Sequence, residues 1–179
     1  VPYYNKPTQE GLFRHFSALA EATPLPNILY NVPSRTVTNM SAETTLRLSA
    51  VSNIIGIKEA SDDLSQVGAI IRDAPADFRV WCGNDSDTFP QMCIGSYGVV
   101  SVASHLVGSQ VKRMIDLTVA GDLVAAAAEH RRLLPLFKGL FVITSPIPIK
   151  YCINQAGFNV GSLRLPLLDA DPATAKYLD

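Results

Sequence analysis

The sequence predicts an α/β fold with a parallel sheet, and three observations support this prediction. Four short apolar runs begin at residues 28, 54, 79 and 98. Each run is rich in Ile, Val, aromatic residues or Gly and is too short to be a helix. Amphipathic helical patterns lie between the runs, and strands that alternate with helices build either a doubly wound sheet or a (β/α) barrel.

Each element in the first part of the chain follows from a local pattern. The four apolar runs predict strands at 28–30, 54–58, 79–82 and 98–102. Apolar residues that recur at spacings of three and four predict helices at 12–20, 42–50, 64–71 and 87–94. Ser41 is suited to cap the second of these helices. Pro90 fits the first turn of the fourth helix, and Gly95 fits the position after its end.

The composition changes after residue 105, where strand patterns stop and helical patterns continue. The same spacing predicts helices at 107–119, 123–137 and 146–156. Pro135 is expected to kink or end the second of these helices, and Gly157 to close the third. We therefore divide the chain into residues 1–105, which carry the βα units, and residues 106–179, a C-terminal helical region.

The number of strands indicates part of a barrel. A (β/α)8 TIM barrel needs eight strands and about 250 residues, whereas residues 1–105 supply four strands. We predict that this region is the C-terminal half of such a barrel. The opening stretch "VPYYNKP" is typical of the exit of a strand whose body lies upstream, and the closing "PATAKYLD" begins one more helical pattern.

Composition and charge exclude several classes of protein. The chain is 47% hydrophobic with a formal net charge of −1, and it lacks the basic excess of a nucleic-acid or anionic-membrane surface. No apolar run reaches the about 18 residues of a membrane span. Three cysteines without CxxC spacing fit reduced thiols in a cytoplasmic protein. The three histidines stand far apart, so no metal site is expected.

Polar residues at the strand exits are the candidates for chemistry, because the carboxyl ends of parallel strands face the active site. Lys58 is either a solvated strand-end residue, paired with Glu59, or a desolvated amine that forms a Schiff base. Tyr30 either packs its ring and keeps its hydroxyl in water, or moves protons to and from an imine. Arg35 is either a solvated loop residue or a bidentate carboxylate ligand. Gly83 permits a tight turn or the close approach of a ligand.

Other motifs carry less weight. Asn84 and Asp85 suit the cap of the following helix. The chain has neither a GxGxxG nor a GxxxxGK[ST] phosphate loop. Ser101 and Ser104 lack the GxSxG context of a serine hydrolase. Nucleotide binding and serine-dependent hydrolysis are therefore not supported.

Five stretches together resemble one family. "PYYNKPTQEGL", "ILYNVPSRT", "NIIGIKEAS", "CGND" and "PIPIK" occur in the order found in the dihydrodipicolinate synthase family. That family belongs to the pyruvate-dependent class I aldolases, which include N-acetylneuraminate lyase. The resemblance extends from Val1 to about Pro166. It implies a (β/α)8 barrel with C-terminal helices, a homotetramer, and chemistry without a metal or an organic cofactor.

The resemblance also implies roles for individual residues. Lys58 would form the Schiff base with pyruvate, Tyr30 would relay protons, and Arg35 would bind the carboxylate of L-aspartate 4-semialdehyde. Tyr4 would enter the site of a neighbouring subunit and complete the proton relay. Tyr3 matches a position near the lysine feedback site of members that have one.

Two further positions are implied to line the site mainly through backbone groups, namely Gly83 and Val100. One departure from the family pattern is Asn84: the family's Gly-Asp-Asp after the seventh strand is Gly83-Asn84-Asp85 here. The catalytic threonine of the family and its contacts to the pyruvate carboxylate would lie upstream of Val1.

The resemblance implies the condensation of pyruvate with L-aspartate 4-semialdehyde to 4-hydroxy-tetrahydrodipicolinate, a step of lysine (diaminopimelate) biosynthesis. The nearest alternative is another pyruvate aldolase of the same family, such as N-acetylneuraminate lyase or a keto-deoxy-sugar aldolase. Arg35 favours the first reading, because sugar lyases tend to lack this arginine. A different alternative is a non-catalytic binding protein built from half a barrel.

Overall fold

A four-stranded parallel sheet organises residues 1–100 of the computed structural model, which describes residues 1–179. Its strands are β1 (Asn27–Asn31), β2 (Ile54–Glu59), β3 (Arg79–Cys82) and β4 (Gly98–Val99). They lie side by side in chain order, and every neighbouring pair is parallel, as the alternation of strands and helices predicts. Residues 101–179 form a second unit, whereas the change in composition had placed the division at residue 105.

The fourth strand is shorter than predicted. It ends at Val99, although the apolar run had predicted a strand through residue 102. The backbone N–H of Val100 still donates to the carbonyl of Cys82 at 2.9 Å. Beyond it, the hydroxyl of Ser101 accepts a hydrogen bond from the N–H of Ser104 at 2.8 Å. The prediction for residues 101–102 was wrong because this local hydrogen bond turns the backbone into the next helix.

The first unit also contains five α-helices. They are α1 (Gln9–Glu21), α2 (Pro33–Thr36), α3 (Ala42–Ser49), α4 (Leu64–Asp73) and α5 (Thr88–Cys93). The predicted cap at Ser41 is confirmed, since its hydroxyl accepts a hydrogen bond from the N–H of Thr44. Gly95 follows α5 with φ of 108°, a left-handed conformation that favours glycine. The short helix α2 was not predicted, because four residues are too few for a helical periodicity to show.

The main hydrophobic core lies on one face of the sheet. Leu29, Ile57 and Val80 point to this face from three neighbouring strands and are almost fully buried. Apolar residues of α1, α3 and α4 complete the cluster, among them Leu12 and Leu48. Because side chains alternate along a strand, the intervening residues of β1, β2 and β3 point to the opposite face. We call this opposite face the open face, because the helices that complete the hydrophobic cluster pack against the other side of the sheet.

The second unit contains only helices. They are α6 (Ser104–Val119), α7 (Leu123–Gly139), α8 (Ile147–Gln155) and α9 (Pro172–Leu178). Helix α6 packs against α7 and α8, and α8 packs against α9. Gly157 follows α8 with φ of 90°, as expected for a glycine that closes a helix. None of the helices in the structure is both long enough and apolar enough to cross a membrane.

Pro135 does not end its helix. Helix α7 continues to Gly139 with Pro135 inside it, and the helical backbone is interrupted instead in α6, at Val107 (φ −125°, ψ 37°). Leu133 and Phe137 are buried on either side of the proline. Of the two effects expected at Pro135, a kink or an end, the end was wrong, because the buried apolar face continues past the proline and outweighs one missing backbone hydrogen bond.

The close contact between β2 and β3 predicts that Gly56→Ala destabilises the protein. A Cβ atom on Gly56 would lie 2.2 Å from the carbonyl oxygen of Arg79 and 2.6 Å from Cζ3 of Trp81. Real Cβ atoms do not approach so closely, so the strands must separate. We expect the free energy of unfolding, measured by urea denaturation, to fall by about 1–3 kcal/mol, the usual cost of overpacking.

Gly68→Ala is the matched control. Gly68 lies inside α4, and a Cβ atom there would meet no atom within 4 Å. Because alanine has a higher helix propensity, this variant should be more stable by about 0.5–1 kcal/mol. Equal stability of the Gly56→Ala variant and the unmodified protein would contradict the observed spacing of β2 and β3.

Candidate active site

Three side chains form a row across the open face at the exits of neighbouring strands. The register pairs Tyr30 of β1 with Lys58 of β2, and Lys58 with Trp81 of β3. The Nζ atom of Lys58 lies 4.0 Å from the centroid of the Tyr30 ring, which is cation–π geometry. The ring of Trp81 occupies the space above Gly56, two residues before Lys58 on the same strand. Lys58 is thus a half-buried amine between two aromatic residues.

Lys58 is not paired with the adjacent glutamate. Glu59 follows it in β2 and therefore points to the helix-covered face, where its side chain is 0% exposed. None of the ion pairs in the structure involves Lys58. The pairing of Lys58 with Glu59, which the solvated alternative included, was therefore wrong. The amine is left without a carboxylate partner.

The carboxylate of Glu59 is surrounded by hydrogen-bond donors. Its Oε1 accepts from Asn31 Nδ2 at 3.0 Å and from the N–H of Ser61 at 2.9 Å. Its Oε2 accepts from Asn31 Nδ2 and from Gln66 Nε2, both at 3.1 Å. Burial raises the pKa of Glu59, while the hydrogen bonds from Asn31, Ser61 and Gln66 oppose this rise. The side chain is a buried acid in a polar pocket with no cation beside it.

Arg35 lies one turn beyond the exit of β1. Pro33 occupies the first turn of α2, where its fixed φ suits a helix start, and Arg35 is the basic residue of the last turn. Val37 ends α2 in a left-handed conformation with φ of 61°. The guanidinium of Arg35 is exposed and takes part in none of the ion pairs. It is therefore available to an anionic ligand.

Gly83 and Val100 directly follow the exits of β3 and β4. The N–H of Gly83 donates to the carbonyl of Glu59 at 2.7 Å, and a Cβ atom on Gly83 would lie 2.6 Å from the Cβ atom of Ala60. Glycine is therefore required for the close approach of the chain beside the exit of β2. Val100 is exposed, and its N–H continues the ladder to Cys82. Burial raises the pKa of the Cys82 thiol to about 12, so this group stays protonated near neutral pH.

Asn84 does not cap the next helix with its side chain. Its Nδ2 donates instead to Asp62 and to Asp87, the latter at 3.1 Å. Burial and the nearby Asp87 raise the pKa of Asp62. The expectation of a capping side chain was wrong, because the amide serves better as a donor between two carboxylates. A third carboxylate at residue 84 would add repulsion there, which gives the departure from the family pattern a local reason.

Tyr3 and Tyr4 lie outside this row. Tyr4 is 89% exposed and has a left-handed backbone with φ of 68°, and Tyr3 is also largely exposed. A side chain so exposed is not packed against Tyr30 or Lys58 within one chain. The structure of the single chain thus brings Tyr30 and Lys58 together and leaves Tyr4 in solvent.

Sequence reasoning missed two features of the site. Trp81 was predicted only as part of a strand. Its neighbours Val80 and Cys82 are buried on the helix-covered face, so alternation places Trp81 on the open face. The hydrogen-bond partners of Glu59 were not anticipated either. Strand alternation was the available signal for Trp81, because it places Trp81 on the face of Lys58. Alternation also turns Glu59 to the opposite face, but it does not identify the partners of Glu59.

Comparison with known proteins identifies the family. The profile of the Dihydrodipicolinate synthetase family matches residues 1–178. This chain belongs to that family. The expected resemblance is confirmed, and the fold is the parallel α/β fold of the TIM-barrel type found in the family, with C-terminal helices.

Individual relatives agree with this assignment. The 4-hydroxy-tetrahydrodipicolinate synthase of Dehalococcoides mccartyi (strain CBDB1) is 61% identical over 178 residues, which are 99% of this chain and 60% of the relative. That of Moorella thermoacetica is 54% identical over 170 residues, 95% of this chain and 58% of the relative. The chain therefore spans about three-fifths of the length of the curated relatives it matches.

Solved structures give the same result. The dihydrodipicolinate synthase of Bacillus anthracis superposes with a TM-score of 0.97 at 43% identity, covering 99% of this chain and 61% of that one. The enzyme of Cyanidioschyzon merolae, solved with lysine bound, superposes with a TM-score of 0.97 at 45% identity and the same coverage.

The raised pKa of Glu59 predicts how stability depends on pH. Because the folded state binds the Glu59 proton more tightly than the unfolded state, ionisation above the usual value of 4.5 costs stability. The free energy of unfolding should therefore fall, relative to that of a Glu59→Gln variant, as the pH rises from 4.5 through the folded-state pKa. Below 4.5 the difference should be constant. Urea denaturation at a series of pH values measures it.

Glu10→Gln is a control with the opposite sign. Hydrogen bonds from Arg14 and Arg47 lower the pKa of Glu10. The free energy of unfolding, relative to that of the Glu10→Gln variant, should therefore rise with pH up to 4.5. This change should be small because the ion pairs of Glu10 are exposed. A stability difference for Glu59 that rises with pH would mean that the folded state favours the ionised carboxylate, contrary to our prediction.

Proposed function

We propose that this chain carries the Schiff-base part of a 4-hydroxy-tetrahydrodipicolinate synthase. The substrates are pyruvate and L-aspartate 4-semialdehyde, and Lys58 is the nucleophile. The main support is the position of Lys58 at the exit of β2, without an ion-pair partner and with its Nζ atom 4.0 Å from the centre of the Tyr30 ring. Curated relatives named for this activity, among them one that is 61% identical over 99% of this chain, support the same proposal.

The first half of the proposed reaction takes place on pyruvate. The neutral amine of Lys58 attacks the ketone carbon and forms a carbinolamine. Loss of one water molecule leaves a protonated imine, whose nitrogen withdraws electrons from the neighbouring methyl group. Loss of a methyl proton then gives an enamine. Tyr30 lies beside this nitrogen, and its hydroxyl moves the protons in these steps.

The second half joins the two substrates. The enamine carbon attacks the aldehyde of L-aspartate 4-semialdehyde, and the aldehyde oxygen becomes the hydroxyl group of the product. The amine of the second substrate then adds to the imine carbon, which closes the ring and releases Lys58. One water molecule is lost overall. The lysine is the electron sink throughout, so the chemistry requires no metal and no organic cofactor.

Other residues have proposed roles in binding and assembly. Arg35 holds the carboxylate of the aldehyde substrate, and Gly83 and Val100 present backbone groups to the site. Tyr4 completes the proton relay across a subunit interface of a homotetramer, consistent with its exposure in the single chain. Tyr3 lies at a site for lysine, the ligand bound to the Cyanidioschyzon relative.

The architecture belongs to the same proposal. Residues 1–105 supply the C-terminal half of a (β/α)8 barrel, and residues 106–179 supply its C-terminal helical region. The protein acts in the cytoplasm. The four strands, all of which lie before residue 105, and the helices that make up the rest of the chain support this proposal.

Trapping with borohydride tests the nucleophile. We expect the longest natural form of the protein, incubated with pyruvate and reduced with borohydride, to gain one reduced pyruvate adduct on Lys58. Peptide mapping by mass spectrometry locates it. Lys58→Arg keeps the charge but cannot form a stable imine, and it should gain no adduct. Lys112→Arg, which affects an exposed lysine paired with Asp116, should be labelled like the unmodified protein.

The absence of an adduct in a folded, unmodified protein would contradict the proposed chemistry. That result would favour the non-catalytic alternative, in which Lys58 is an ordinary residue at the end of a strand. An adduct on another lysine would keep the enzyme class and overturn the assignment of Lys58.

Arg35→Ala separates the two aldolase alternatives. A hydrogen bond to a charged group contributes about 1.5–3 kcal/mol, so kcat/KM for L-aspartate 4-semialdehyde should fall about ten- to hundredfold. Imine formation with pyruvate, measured by the same trapping experiment, should be almost unchanged. Equal losses in both measurements would show that Arg35 acts on pyruvate or on the fold and would favour a sugar aldolase. Arg14→Ala, at an exposed arginine on α1, is the control.

A further inference from the structure

We propose that Glu59 is a positioning residue, which holds the ends of β1 and β2 and the segment carrying Arg35 in the arrangement that catalysis requires. The proposal rests on the proposed function, because it concerns the placement of Lys58 and Tyr30. Glu59 is fully buried, and four hydrogen bonds from Asn31, Ser61 and Gln66 fill both of its oxygens. We call the side chains of Asn31, Glu59 and Gln66 the Glu59 network.

The network fixes the same pair of strand ends that carries the candidate catalytic groups. In the register of β1 and β2, Tyr30 pairs with Lys58 and Asn31 pairs with Glu59. The first pair lies on the open face and the second lies directly behind it, on the helix-covered face. Any displacement of Asn31 relative to Glu59 therefore moves the Tyr30 ring relative to the amine of Lys58.

The network also joins the two ends of residues 31–40, the segment that contains Arg35. Asn31 Oδ1 accepts a hydrogen bond from the N–H of Met40 at 3.0 Å, so the two ends of residues 31–40 are tied together. Gln66 Nε2 donates to the carbonyl of Met40 at 3.2 Å, in addition to its bond to Glu59. Helix α2, with Arg35 in its last turn, is thus held by the same amide groups that hold the carboxylate.

A carboxylate is suited to this position because every group around it is a donor. An ionised carboxylate only accepts hydrogen bonds, and it can satisfy all four contacts at once. A glutamine would direct an NH2 group at Asn31 or Gln66 and leave donors unpaired. Burial of an ionisable side chain without a cation is costly, so its presence here indicates a role other than packing.

Glu59→Gln tests the proposal in the longest natural form of the protein. Displacement of reacting groups by about 1 Å costs about a hundredfold in rate, so we expect pyruvate trapping at Lys58 to slow by about 10- to 100-fold. The exchange variant Asn31→Asp/Glu59→Gln again places a carboxylate opposite an amide. This double variant should trap pyruvate about tenfold faster than Glu59→Gln, because the specific hydrogen bond between the strand ends is restored.

Leu48→Ala separates positioning from stability. Leu48 lies in α3, is fully buried in the core and is absent from the Glu59 network. This variant should have a lower melting temperature but should trap pyruvate within about twofold of the normal rate below that temperature. If Leu48→Ala slows trapping as much as Glu59→Gln at equal loss of melting temperature, the effect is one of stability and the proposal is overturned.

The remaining outcomes distinguish this proposal from the proposed function. If the unmodified protein traps pyruvate and Glu59→Gln does so at the same rate, the positioning role is wrong and the function stands. If the unmodified protein traps no pyruvate, the proposed function itself has failed. Should Glu59→Gln not fold, Gln66→Met keeps the carboxylate and removes the hydrogen bonds of the Gln66 amide to Glu59 and Met40. Its trapping rate must fall below that of Leu48→Ala for the positioning role to hold.

Discussion

The parallel pairing of β1 with β2 is the constraint on which the core and the candidate site both depend. Successive residues of a strand point to opposite faces, so the register that places Tyr30 beside Lys58 also places Asn31 beside Glu59. A slip of one residue in either strand would turn Lys58 or Tyr30 towards the helices and move core residues such as Ile57 to the open face. Burial of the apolar residues and alignment of the reactive ones are therefore specified together.

Features set by neighbours in the sequence were predictable. The strands and most helices follow from periodicity within a few residues, and the cap at Ser41 needs only a hydroxyl three residues before the N–H it accepts. Lys58 was a candidate for the same reason, since a lysine at the end of an apolar strand in an α/β chain must lie near the carboxyl edge of the sheet. The identity of its reaction, however, came from the family resemblance and not from periodicity.

Features set by distant partners were not predictable from local patterns. Glu59 depends on Asn31, which lies 28 residues away and reaches it only once the register is fixed. Asn84 bonds to Asp62, which lies 22 residues away, and this contact replaces the expected cap. Pro135 remains inside α7 because its flanking residues are buried, and burial is a property of the folded chain. In each case a tertiary contact overrides a local preference.

The contact between Lys58 and Tyr30 has two parts with different consequences for catalysis. The ring face attracts a cationic nitrogen at this position, such as that of the protonated imine, by about 0.5–2 kcal/mol. An interaction that is equally strong in the ground state and in the transition state does not accelerate the chemical step. Proton transfer by a positioned hydroxyl contributes about 10²- to 10⁴-fold, and it acts only in the transition states. On the proposed mechanism the ring of Tyr30 therefore places the nitrogen, and the rate enhancement comes from its hydroxyl group.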